Sequence, residues 1–215
     1  STLAWPTSTT RLPLGSARAR HTLAEALKQR ELTKEAARQW QIILRTGQFN
    51  EWALNDAAKQ LGNAVSGSDG LRAAGYWQRL LLSCLKRNAS LTKADSYLKL
   101  VQLIHRLRAR GLLEAGDTEA AVREAQRAHA AMPGDVALVC DLVPRLDEAG
   151  LAAEADHLFE GAYAHLLEAV ESYAGAAPLL NNAAWMAATC GRRLDDALTL
   201  AERATGLSPA NPVYL

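Results

Sequence analysis

Histidines, cysteines and carboxylates are the side chains here with chemistry to offer, and their spacing gives them little to act with. His21, His105, His129, His157 and His165 are spread over separate stretches of the chain. His157 and His165 lie eight residues apart, so with Glu154 or Glu160 they approach one face of a long helix. A metal site needs convergent ligands in a supported geometry, which this spacing alone does not supply, and neither a metal nor any other cofactor is expected. Cys84, Cys140 and Cys190 are odd in number and lack CxxC spacing. That argues against a disulfide framework or a zinc ribbon, and free cysteines behave as small buried hydrophobes. HExxH, GxSxG and phosphate-cradling glycine loops are all missing, and Gly67-Ser68-Asp69-Gly70 is a turn. No catalytic residue is expected.

The elements that would position such groups are helices. Alanine and leucine dominate the 215 residues, and both are strong helix formers. No stretch approaches the run of about 18 apolar residues that spans a membrane. The opening Ser-Thr-Leu-Ala-Trp-Pro has no charged region followed by an apolar one, so no secretory signal is visible. A cytoplasmic location is the expectation, with a periplasmic or other extracytoplasmic one left open.

Net charge is close to zero, yet its distribution is lopsided. Residues 1–113 hold 18 lysines and arginines against 7 carboxylates, and residues 114–215 hold 6 against 16. Solvated helix faces account for this most simply. The sharper reading is a basic half that attracts an acidic partner, or a head-to-tail contact between copies.

Small and large residues recur at one fixed step. Ala121 and Ala155 are 34 residues apart, and the same step links Leu112 to Leu146, Gly116 to Gly150, Ala128 to Ala162, Ala24 to Ala58 and Leu27 to Leu61. After an extended lead-in over 1–16, the pattern divides the chain into units at about 17–47, 50–88, 90–133, 135–174 and 176–209. Residues 210–215 begin a further unit, so the chain is read as an excerpt of a longer protein. Ala36 and Trp40 return as Ala73 and Trp77, a step of 37 that places three extra residues in the loop at 66–70. The fifth unit's turn carries one extra residue.

These residues resemble the tetratricopeptide repeat family. The fourth unit fits its pattern with Leu146, Gly150, Ala155, Phe159 and Ala162, the third with Ala109, Leu112, Gly116, Ala121, Ala128 and Pro133, and the fifth with Ala184, Gly191, Ala197, Ala204 and Pro209. The likeness covers about 17–215 and is strongest from 102 onward. It implies an all-α, right-handed α-solenoid, a superhelix of about five helix-turn-helix pairs, rather than an unrelated helical bundle. Three departures stand out. Glu31 occupies the first unit's turn-glycine position, Ile43 a small-residue position, and Pro144 sits inside a first helix, where a kink or shortening is expected.

In the family, ligands are held by the first helix of each unit, on the concave groove. By register this implies a partner-binding set of His21, Glu25 and Lys28, then Trp52, Asn55, Lys59 and Asn63, then Arg106, Arg110 and Glu114, and finally Asn181 and Trp185, with Asp147 and Glu148 near Pro144. A tryptophan at helical spacing more often packs than binds, which leaves Trp52 and Trp185 ambiguous. The Lys and Asn clamp that some members use for a C-terminal carboxylate is broken, because His21 and Glu25 hold its positions. The implied role is a non-catalytic interaction or assembly scaffold taking a protein or peptide segment, with an acidic stretch favoured. The alternative is a docking or regulatory segment of a larger, membrane-anchored enzyme. Nucleic acid is not expected, since aromatics are too sparse among the basic residues. Self-association is expected through the incomplete C-terminal unit, whose second helix should expose Leu198, Ala201 and the Leu200 side.

Overall fold

A computed structural model describes residues 16–46, 52–86, 94–173 and 175–211. Apart from Ser16, the expected lead-in lies outside them, as do residues 212–215. Among the described residues there are ten helices and no strand: α1 (Ala17–Lys28), α2 (Thr33–Thr46), α3 (Trp52–Val65), α4 (Gly70–Lys86), α5 (Ala94–Glu114), α6 (Thr118–Ala131), α7 (Val136–Glu148), α8 (Ala152–Ser172), α9 (Ala177–Thr189) and α10 (Leu194–Leu207). The fold is an all-α helical repeat. It forms two compact units, one up to Leu107 and one from Arg108 onward, with the division inside α5.

The hairpin turns explain why the helices stop where they do. At Gly116, Gly150 and Gly191 the backbone enters the left-handed region, with φ of 80°, 77° and 63°. The next amide in each case returns to a carbonyl five residues back: Asp117 to Leu112, Leu151 to Leu146 and Arg192 to Ala187. This pairing satisfies carbonyls that a helix end leaves open. The first hairpin closes in the same way, with Leu32 donating to the Leu27 carbonyl and Glu31 at φ 62°. A glutamate therefore adopts the conformation that the repeat elsewhere gives to glycine. The residue added to the last turn is accommodated by Arg193, at φ 52°.

Side-chain caps begin several helices. Ser16 Oγ accepts from the Ala19 amide, Asp117 Oδ1 from Ala120 and Asp135 Oδ1 from Leu138. The longer loop before α4 ends on Asp69, whose Oδ1 accepts from the Arg72 amide.

In the first unit, α1 packs on α2, α2 on α3 and α3 on α4, while the first helices α1 and α3 also touch. Ala24, Ala36, Ile43, Leu54, Ala57, Ala58 and Leu61 are buried in one core, and Ala73, Ala74, Trp77, Ile104 and Leu107 form a second. In the second unit, α7 packs on α8 and α9 on α10, with α6 against α8 and α7 against α9. A single core runs there from Ala109 through Leu142, Leu146, Phe159 and Ala162 to Met186 and Ala204. Ala121, Ala155 and Ala197 are buried. Pro144 removes the amide that would bond the Cys140 carbonyl. Nevertheless α7 runs on to Glu148, and its 13 residues equal the length of α9, so no shortening results.

Candidate partner-binding face

On the first unit, the expected face is built on α1 and α3. His21 and Glu25 are one turn apart on α1, and Asp56 on α3 meets them. His21 is buried, and its Nε2 is 2.7 Å from Asp56 Oδ2. The edge of its ring meets Trp52, with centroids 4.6 Å apart and planes at 66°. Trp52 itself is 53% exposed. Lys28 is exposed and donates to Gln60 Oε1 at 2.9 Å, while its ammonium stands 6.0 Å from the Trp40 ring centre. Lys59 and Asn63 are exposed on α3, and Asn55 is half-buried. Two side-chain oxygens on this face, Glu25 Oε1 and Asn55 Oδ1, are buried without a hydrogen-bond partner. Arg106, half-buried on α5, also belongs to this unit.

On the second unit, Arg110 is buried rather than open to solvent. Its Nε is 3.6 Å from Glu114 Oε1, and its Nε and Nη2 lack hydrogen-bond acceptors. Glu114 also lies 3.9 Å from Arg145, which in turn bonds Asp141 at 3.2 Å. Asp147 is likewise committed, because Arg192 donates to both of its oxygens at 2.9 and 3.0 Å and to Asp156 at 2.8 Å. These carboxylates hold the Arg192 guanidinium well above its usual pKa. Glu148 is exposed, Asn181 is half-buried, and Trp185 is 53% exposed on α9. Packing therefore does not account for either tryptophan in full.

A feature that register alone did not indicate lies between α6 and α8. Val122, His129, Leu146, Glu154, His157 and Leu158 line a cleft of about 340 Å³. His129 has its pKa lowered, first by burial and then by the nearby His165 and His157. Its ring centre is 6.2 Å from that of His165, and its Nδ1 has no partner. His157, His165, Glu154 and Glu160, whose spacing alone does not make a metal site, have separate surroundings. Glu154 and His157 line the cleft, whereas Glu160 is taken up by Arg193 at 3.0 and 3.1 Å. The alternation of α6 and α8 that creates this cleft depends on helix packing, which spacing within one helix does not reveal.

At the expected C-terminal apolar face, Leu198 is 63% exposed and Ala201 is half-buried, but Leu200, expected on that face, instead turns into the core and packs there. No helix among the described residues is long and apolar enough to cross a membrane.

No protein-family model matches the sequence, and no curated protein matches it. Among solved structures, the chain is similar to YrrB, described as a TPR protein with an unusual peptide-binding site, at 16% identity and a TM-score of 0.43. That alignment covers 93% of this chain and 90% of the other. The helical-repeat architecture stands on this chain's own hairpins and their shared turn geometry.

Proposed function

We propose that the chain is a non-catalytic scaffold whose first-helix faces bind an extended segment of another protein. The observation that carries this reading is unmet hydrogen-bonding capacity at residues of those faces. Asn55 Oδ1 on the first unit is a buried acceptor with no donor, and Arg110 Nη2 on the second is a buried donor with no acceptor. Leaving such a group unpaired costs about 1–3 kcal/mol. Because both atoms are covered in the free chain, a partner's amides and carbonyls would pair them only once the neighbouring side chains move aside. Trp52 and Trp185 add exposed aromatic area beside polar neighbours, a combination enriched where proteins bind. An acidic segment suits the first unit, which holds the larger share of the lysines and arginines.

The test is site-specific photo-crosslinking in cells. A crosslinker in place of Trp185 should capture a discrete partner, while one in place of Arg203, exposed on the second helix α10, should not. Asn55→Ala and Trp185→Ala should then weaken the purified complex at least tenfold with helical content unchanged. Full-strength binding by both variants would overturn the reading.

A further inference from the structure

We propose that His21, Glu25 and Asp56 form a binding site for a divalent transition-metal ion of the zinc type. One nitrogen-bearing and two oxygen-bearing side chains present donor atoms that all lie within 4.8 Å of one another. Two come from one face of α1, four residues apart, and the third from the adjacent α3. A hydrogen bond between His21 and Asp56 that merely staples the two helices would explain their 2.7 Å approach. It does not explain Glu25, which brings a carboxylate oxygen within 4.8 Å of that pair and whose Oε1 is buried with nothing to bond. A carboxylate oxygen withdrawn from water next to a second carboxylate is unfavourable unless something positive joins them. A cation at the centre of the three donors supplies that charge.

The geometry needs only small adjustments. Zinc bonds of about 2.0–2.2 Å in a tetrahedral arrangement put neighbouring donors about 3.3 Å apart. The His21–Asp56 pair must open by roughly half an ångström, and Glu25 must swing inward, for which its side chain has three rotatable bonds. Trp52 against the ring limits how His21 can turn, so the imidazole is preset in orientation. Asp56 retains 32% of its side-chain exposure, which leaves a route for the ion and for a water at the fourth position. An imidazole with two carboxylates selects Zn²⁺, Co²⁺ or Ni²⁺ over Mg²⁺, which prefers an all-oxygen shell. Ligation through Nε2 requires the proton to reside on Nδ1 and both carboxylates to be ionised. Affinity should therefore fall as the solution is acidified, because protons compete with the ion for the same donor atoms.

The test is titration of the full chain with Co²⁺, read by visible absorption, and with Zn²⁺ in competition. A His157→Gln/His165→Gln background removes the exposed histidines that bind metal adventitiously. One equivalent of ion should bind, with a change in tryptophan fluorescence from Trp52, and Zn²⁺ but not Mg²⁺ should raise the thermal midpoint. Glu25→Gln should weaken binding at least tenfold, and His21→Gln and Asp56→Asn should weaken it further. Should the last two variants fail to fold, Glu25→Gln decides, because Oε1 makes no hydrogen bond that the fold needs. Absence of a stoichiometric Co²⁺ complex, or unmodified affinity in Glu25→Gln, overturns the proposal and leaves the His21–Asp56 contact as a staple.

Discussion

At the residue scale, Glu31 shows how a repeat tolerates an exception. Its φ of 62° carries the left-handed cost of about 1–2 kcal/mol that glycine escapes. Glycine gives part of that back through greater freedom in the unfolded chain. Glu31→Gly should therefore stabilise the protein by about 0.5–1 kcal/mol, and Glu31→Val should destabilise it, as read by urea unfolding. His129 supplies a second expectation, one that depends on pH. Its pKa is lower in the folded chain than in the unfolded one, so below about pH 6.5 the unfolded state takes up a proton that the folded state resists. The stability is complete above that value and is lost as pH falls through it. Thermal midpoints should drop from pH 7 to pH 5, and His129→Gln should flatten the decline.

At the element scale, Ala155 on α8 tests the repeat register. It is fully buried where α8 packs against its neighbours, so Ala155→Leu should cost about 1–3 kcal/mol by overpacking. An unchanged thermal midpoint would count against the register. Much of this level was legible in the sequence. The 34-residue step located the buried alanines, and the glycines at 116, 150 and 191 located turns whose φ is positive. The stretch holding His157 and His165 was also legible as one long helix, and α8 spans 21 residues. Pairings between helices were not legible. Nothing in local spacing brings Asp56 to His21, or shows that Gly62 is small because Trp77 lies over it, where an added Cβ would meet the indole nitrogen at 2.7 Å. Nor could it distinguish Arg110, which is buried, from Lys28 and Lys59, which are exposed, although all three fall on first helices. Spacing names the face of a helix, whereas burial depends on what the next helix brings to it.

At the scale of the whole molecule, the charge imbalance follows the structural division. The unit up to Leu107 holds 16 lysines and arginines against 7 carboxylates, and the unit from Arg108 holds 8 against 16. For the first unit this favours steering of an acidic segment, an effect expressed mainly in the association rate. Reversing Arg110 would disturb a buried group, so exposed Lys28 and Lys59 are the residues with which to test steering. Lys28→Glu/Lys59→Glu should slow association with the partner severalfold at low salt. The difference should narrow toward 0.15 M, where charges beyond about 8 Å are screened. Equal rates across the salt series would mark these lysines as solvated surface alone.

The two arginines of the last turn carry a mechanical consequence. Arg192 ties that turn to Asp147 of α7 and Asp156 of α8, and Arg193 ties it to Glu160. A stack of hairpins under tension yields one joint at a time, because each hairpin is held chiefly by its neighbours. At this joint, separating α9 and α10 from the preceding pair means rupturing several charge-assisted bonds together with the apolar contact. The seam therefore behaves as a rivet under load, and added salt is the reagent that loosens it.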